Sequence, residues 1–316
     1  QPYGIAADNN FYMTNHQDLI FVPEVELKDN QRMAEENPVR VEVERAVAKV
    51  VVSGVPEVVP HGDRIDNLKW GLDVTNQYTY WMRKMTFIAN SGGVPGEMEQ
   101  LNSGYREERY AEDPNFTGFS AWNGGNPAGQ FEYLSGTPEL TKDFDDYDYT
   151  LENTMEAVEQ RHDVTTRVVI SGTYTPNGFG SVATRNSGGI SFYYFKGNAI
   201  RVEAMRDMVN DRNLIPQELR DAGLEQAIND VLAWNPNAFN SPTASFSVGG
   251  LNFYYEGVCY YTVLIRHFSN NMVPVLMGYG RYGVVRNNVY QLSINKIIGP
   301  GQPVINPPGT DPDDED

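Results

Sequence analysis

The longest run of strand-like hydrophobic patterning lies near the C-terminus, between Leu251 and Gly301. Its first half, LNFYYEGVCYYTVLIRHF, is rich in Tyr, Val, Ile and Phe, the composition of a pleated and buried strand. Gly257 interrupts it, as a bulge or a close backbone approach would. The second half alternates over Val289, Gln291, Leu292, Ser293 and Ile294 and stops at the breaker Gly299-Pro300-Gly301. Ser269-Asn270-Asn271 between them has hairpin chemistry. This pattern predicts two long antiparallel strands in the core of a β-sandwich.

Upstream, Val39–Val52 places Val39, Val41 and Val43 on one side and Arg40, Glu42 and Glu44 on the other. That is the period of a strand with one wet and one buried face. Pro56–Asp66, with two prolines and a glycine, reads as a linker and puts a boundary near residue 62. Leu68–Thr75 alternates cleanly as a first strand beyond it, and Tyr78–Ile88 continues the aromatic β character. Ala89–Leu140 has no sustained period and predicts a surface excursion with short elements. Val164–Thr175 alternates again, Val164, Val168 and Ile170 against Thr165, Arg167 and Ser171. Ile190–Ile200 is strand-like around a Gly197-Asn198 turn. Pro216–Leu232 is the one good helix, with Leu224, Ala227, Ile228 and Val231 at helical spacing. The tail from Gln302 to Asp316 is Pro-rich and acidic, a mobile spacer.

A chain of 316 residues that is 40% hydrophobic has material for about two domains. The net charge of −18, from 42 acidic against 24 basic residues, argues against nucleic acid, which needs clustered Lys and Arg. No apolar run of spanning length occurs, so no transmembrane segment is predicted. The single cysteine, Cys259, excludes an intrachain disulfide and reads as a small buried hydrophobe.

Candidate chemistry is sparse. No phosphate-cradling glycine loop, dinucleotide fingerprint, nucleophile elbow or His-Glu-x-x-His zinc motif is present. The histidines 16, 61, 162 and 267 are scattered, and His162 beside Asp163 is a neighbour in sequence only. Asp143, Asp145, Asp146 and Asp148 form the densest acidic cluster, a calcium candidate by ligand type. They lack the Gly and Glu spacing of a helix-loop-helix calcium loop, and a solvated acidic loop is the better reading. No enzyme and no cofactor is expected. Exposed aromatics such as Trp81 or Trp122 leave open a monomeric glycan-binding adhesin as the alternative to a structural role.

Several stretches carry a resemblance. They are Gly257-x-Cys259-Tyr260-Tyr261, Ile265-Arg266-His267, Tyr282-Gly-Val-Val-Arg286-Asn287-Asn288-x-Tyr290 and Ile297-x-Gly299-Pro300-Gly301. Upstream lie Glu44-Arg45-Ala46-Val47-Ala48-Lys49-Val50 and Leu151-Glu152-Asn153-Thr154. In this order the set resembles the Bacteroidales major fimbrial subunits, the shaft pilins of type V pili, and best the short-fimbria (Mfa-type) branch. The resemblance implies a mainly β fold of two transthyretin-like β-sandwich domains. The first, 1–61, is incomplete; the second, 62–301, carries one or two short helices; 302–316 is the spacer. It further implies structural roles for Arg45, Lys49, Glu152, Asn153, Cys259, Tyr261, His267, Arg286, Asn287, Tyr290, Gly299 and Gly301.

By the same resemblance the protein is a cell-surface fimbrial subunit, made as a lipoprotein precursor and attached at the outer membrane. Its partners are copies of itself and accessory subunits, with host or bacterial surface ligands beyond them. Proteolysis removes an N-terminal strand, and a C-terminal strand of the next subunit fills the groove left behind, giving fibres for adhesion and biofilm formation. Gln1 implies a processed chain. Only 43 residues precede Glu44, and the chain stops at Asp316 inside the spacer, so the molecule as it stands is expected to remain a monomer.

Overall fold

A computed structural model describes residues 6–7, 10–15, 22–24, 27–83, 111–116, 129–155, 160–180, 189–267 and 282–306. Its strands are β1 (Ala6–Ala7), β2 (Asn10–Phe11), β3 (Met13–Asn15), β4 (Val43–Arg45), β5 (Ala48–Ser53), β6 (Glu57–Val59), β7 (Arg64–Asp73), β8 (Thr75–Asn76) and β9 (Phe131–Glu132). They continue with β10 (Tyr147–Thr150), β11 (Arg167–Thr175), β12 (Phe192–Phe195), β13 (Asn198–Arg201), β14 (Phe246–Val248), β15 (Leu251–Tyr254), β16 (Val258–Leu264), β17 (Val289–Ser293) and β18 (Lys296–Ile298). The described helices are α1 (Gln31–Glu36), α2 (Val202–Asn210), α3 (Gln217–Asp221) and α4 (Leu224–Trp234). The protein is mainly β, as the patterning predicts.

Two three-stranded sheets, β10-β5-β17 and β16-β11-β7, face each other as a sandwich. Ala48, Val50, Val52 and Tyr290 from one sheet meet Trp70, Val168 and Ile170 from the other in one core. Each valine or isoleucine among them contributes about 1.5–3 kcal/mol by burial. β11 is the central strand of its sheet and is covered on both faces. Val168 and Ile170 enter the sandwich core, while Val169 packs with Leu140, Tyr260 and Ile305 on the far side. Thr165 and Arg167 of its expected polar face are therefore buried too, and Ser171 is half-buried.

A four-stranded sheet, β13-β12-β15-β14, forms a second layer. One face meets the sandwich through Phe192, Tyr254, Tyr174 and Cys259, with Phe192 and Tyr254 stacked at 4.7 Å. The other face, with Tyr193, Phe195 and Phe253, is covered by α2–α4 through Met205, Leu224, Ile228 and Val231.

Several expectations are corrected. The C-terminal segment is not a pair of long antiparallel strands. Glu256 (φ 51°) and Gly257 (φ 70°) break the first half into β15 and β16, which join different sheets. A Cβ on Gly257 would lie 2.5 Å from the Tyr174 carbonyl oxygen, so the break is the close approach that glycine permits. β17 then pairs parallel with β5, and β18 parallel with β6. The Ser269–Asn271 turn lies outside the described residues.

Pro56–Asp66 is not a linker, since β6 and the start of β7 occupy it. Pairings and core thus cross position 62. Val39–Val52 is not one strand: residues 38–42 belong to no sheet, Val39, Val41 and Val43 are exposed, and Glu44 is buried. The described part of Tyr78–Ile88, up to Arg83, forms no strand. Of the long excursion, only Ala111–Phe116 and Gly129–Leu140 are described; Pro114–Phe116 is a 3-10 turn and Phe131–Glu132 is β9. The helix at 216–232 is two helices hinged at Gly223 (φ 93°), and α2 was not anticipated. The β12–β13 turn falls on Lys196-Gly197 rather than Gly197-Asn198. Gln302–Asn306, read as mobile spacer, is held: Gln302 pairs with Tyr260 and Ile305 with Gly136.

Candidate assembly site

Motifs far apart in sequence converge on residues 284–288, just before β17. Arg286 Nε lies 3.0 Å from Glu152 Oε2, and both side chains are buried. Arg286 Nη2 donates to Thr79 Oγ1 and to the Tyr80 carbonyl, each at 2.9 Å, and Nη1 faces the Trp81 carbonyl at 3.5 Å. Asn153 exchanges both backbone hydrogen bonds with Val284, and its side chain donates to Asn76 Oδ1 and the Val164 carbonyl. Asn287, at φ 62°, donates its N–H to the Val47 carbonyl and accepts from the Arg45 N–H. Arg45 lies over the Phe11 ring and Lys49 over the Tyr147 ring.

This anchor sets the register of β17. Lys49 N–H donates to the Asn288 carbonyl, and Ile294 N–H to Ser53. In a parallel ladder of that register, Tyr290 and Leu292 pair with β5. Val289, Gln291 and Ser293 therefore turn their N–H and C=O groups to the other side, where the sheet has no further strand among the described residues.

β16 offers a second edge. Tyr260 exchanges both backbone hydrogen bonds with Gln302, at 2.8 Å each, so Thr262 and Leu264 aim their backbone groups the same way. Between these edges is a groove of about 550 Å³, walled by Val263–His267 and Asn288–Ile294. Inside it His267 Nδ1 is 2.7 Å from the Tyr290 hydroxyl, which also accepts from Val285 N–H. Edges unpaired among the described residues, flanking a groove of mixed polar and apolar lining, can accept an extended segment: the backbone supplies hydrogen bonds and alternate side chains fill the groove.

A strap fixes the end of β16. Tyr261 and Tyr254 hydroxyls donate to the Gly299 and Gly301 carbonyls at 2.9 and 2.5 Å. Gly301 sits so close to the Tyr260 carbonyl that a Cβ would collide with it. Cys259, fully buried, donates to the Gly172 carbonyl, and burial pushes its thiol pKa up. The twelve residues given structural roles by resemblance thus lie around the root of β17, its floor and this strap.

The remaining candidates fall elsewhere. Asp143 pairs with Lys69 at 2.6 Å, Asp148 with Lys142 at 3.7 Å, and Asp146 accepts from the Asp143 N–H. Asp145 N–H donates to the Val52 carbonyl, closing the turn against β5. Among the described residues no group of three or more His, Cys, Asp and Glu is disposed to hold a metal ion. Asp163 pairs with Arg161 at 2.8 Å, and His61 lies 3.7 Å from Glu57 at the surface. Trp81 is 73% exposed and meets Tyr12 edge-on, while His16 and Trp122 lie outside the described residues.

Three features escaped the sequence reading. Two are buried ion pairs, Glu44–Arg83 at 2.8 Å and Asp73–Arg167 at 2.8 Å. The third is Asp113, which accepts from Asn115, Asn76 and Thr154 and whose burial pushes its pKa up to about 7. The Asp73–Arg167 pair is cross-strand, so only the β7–β11 register could reveal it. Asp113 sits in a segment without periodicity and gave no signal.

Residues 252–316 match the family model described as major fimbrial subunit protein type IV, fimbrillin, C-terminal. That match spans β15 to β18 and the strap, and it supports a fimbrillin-family protein. No curated protein matches the chain. No helix among the described residues is long and apolar enough to cross a membrane.

Proposed function

We propose that the protein is a structural subunit of a cell-surface fimbria, of the Bacteroidales short-fimbria (Mfa-type) kind, polymerised by donor-strand exchange. The observation that carries this reading is the outer edge of β17, unpaired among the described residues, facing the groove between β17 and β16 in the region that matches the fimbrillin C-terminal model. A strand of a neighbouring subunit adds along Val289, Gln291 and Ser293 and places alternate apolar side chains over Tyr290 and Leu292. Five buried apolar side chains at about 2 kcal/mol each contribute on the order of 10 kcal/mol. Ordering the strand costs about 1–2 kcal/mol per residue, so persistence of the fibre is kinetic, set by slow extraction of a buried strand. Head-to-tail addition does not close on itself and yields filaments, whose role is adhesion and biofilm formation. Export as a lipoprotein, outer-membrane attachment and accessory subunits complete the proposal.

The test is Gln291→Pro in the full-length protein produced on cells. The lost N–H points away from β5, so the monomer keeps its fold and melting temperature while the edge can no longer accept a strand. Loss of detergent-resistant ladders and of fibres supports the reading. Fibres at undiminished yield in this variant would remove β17 as the acceptor.

A further inference from the structure

The ribbon of β3 and β4 has its polar face inward. Thr14 and Glu44 are buried, whereas Met13 and Val43 on the opposite face are 46% and 50% exposed. The alternation continues backwards through Val41 and Val39, 46% and 47% exposed. Residues 38–42 belong to no sheet, and their backbone makes no hydrogen bond among the described residues. A strand-forming sequence whose backbone is unpaired among the described residues, and whose valines are uncovered, is a template for another chain.

Its own sequence specifies which chain. Val39-Arg40-Val41-Glu42-Val43 is complementary to itself when two copies run antiparallel about Val41. Arg40 then stands opposite Glu42 of the second copy, Val39 opposite Val43, and Val41 opposite Val41. Directly opposed apolar residues and opposite charges each stabilise a strand pair. A parallel in-register pair would instead set Arg40 against Arg40 and Glu42 against Glu42. Within one chain Arg40 already lies 3.2 Å from Glu42, with both side chains largely in water, an exposed pair worth little and readily exchanged for cross-strand partners.

We propose that residues 39–43 form an isologous, antiparallel strand pair between two copies of this chain. The contact is two-fold and closes on a dimer, so it is independent of the head-to-tail addition proposed at β17. Five residues form a contact well below the roughly 1,200 Å² of a stable interface, so association is weak and concentration-dependent.

Sedimentation of the intact chain up to millimolar concentration tests this. The wild type shows a dimer that grows with concentration. Arg40→Glu sets Glu against Glu and abolishes it, and the double variant R40E/E42R restores it. Register is read by cysteine cross-linking, since the protein's one thiol, Cys259, is buried. Val41→Cys meets itself on the two-fold axis and oxidises to a dimer. Val39→Cys is four residues, roughly 13 Å, from its copy and does not, although mixing it with Val43→Cys does. A monomer at every concentration, a dimer indifferent to R40E, or equal cross-linking of Val39→Cys and Val41→Cys overturns the proposal. Because the segment is exposed, unchanged melting temperatures show that each variant is folded. Gln291→Pro leaves this dimer intact, which separates its failure from failure of the fibre mechanism.

Discussion

Arg286 and Glu152, separated by 134 residues in sequence, meet with Nε 3.0 Å from Oε2 and about 1% and 3% of their side chains exposed. The pair joins the loop before β17 to the segment after β10, and through Thr79 and Tyr80 to the residues beyond β8. Removing one partner leaves the other charged and buried. Glu152→Ala or Arg286→Met is expected to cost about 3–5 kcal/mol, read as a shift in urea midpoint. The double variant E152L/R286M should recover part of that loss, because a buried pair stabilises little over apolar replacements. Arg286→Lys should not recover it, since one ammonium cannot reach Glu152, Thr79 and Tyr80 together. Additive losses in the double variant would show that the two side chains act separately.

Asp113 makes stability depend on pH. Burial raises its pKa from 3.8 to about 7, while hydrogen bonds from Asn115, Thr154 and Asn76 pull the other way. The folded state therefore holds a proton that the unfolded state has released over this interval. This contribution is full below pH 3.8 and is lost as pH rises toward 7, at about 1.4 kcal/mol per pH unit. Asp113→Asn should flatten that slope in urea titrations from pH 4 to 8. It should also lower stability by about 1–3 kcal/mol, because its amide adds a donor where only donors converge. An unchanged slope would show that Asp113 is ionised throughout.

How far the fold was legible depends on where the physics is local. The β character of 251–264, 167–175 and 68–73 follows from alternation and β-branched content, and Gly257 marked the break that the structure contains. The partner of each strand was not legible. β17 reads like a hairpin partner of β16 but pairs parallel with β5, whose residues lie some 240 positions upstream. The misreading of Val39–Val43 has a specific cause. Periodicity gives two faces without saying which is inward, and here the buried Arg83 draws Glu44 in and turns the valines out. The site was legible only through resemblance. Nothing in composition singles out Glu152, Asn153 or Asn287, whose contacts reach across more than 100 residues.

Gly301 controls the strap. A methyl group there would meet the Tyr260 carbonyl, and Gly301 itself receives the Tyr254 hydroxyl. Gly301→Ala should break the Tyr260–Gln302 pairing, at a cost of about 1–3 kcal/mol for overpacking. Hydrogen exchange at the Tyr260 and Gln302 amides should then accelerate well beyond any change at Val50 in the sandwich core. Equal acceleration at all three would mean that the strap does not open separately.

Tyr290 carries a hydroxyl into the floor of the groove, where it accepts from Val285 N–H at 2.8 Å and lies 2.7 Å from His267 Nδ1. Tyr290→Phe keeps the ring against Val50 and Ile265 but leaves the buried Val285 N–H without an acceptor. The expected loss is about 1–3 kcal/mol. His267→Ala removes only the partner at the groove mouth and leaves the Val285 bond in place, so it should cost less than half as much. The order of the two losses in urea midpoint is the informative quantity. If His267→Ala were the more damaging, the histidine rather than the Val285 hydrogen bond would be what holds the tyrosine, and the floor of the groove would be organised from its rim.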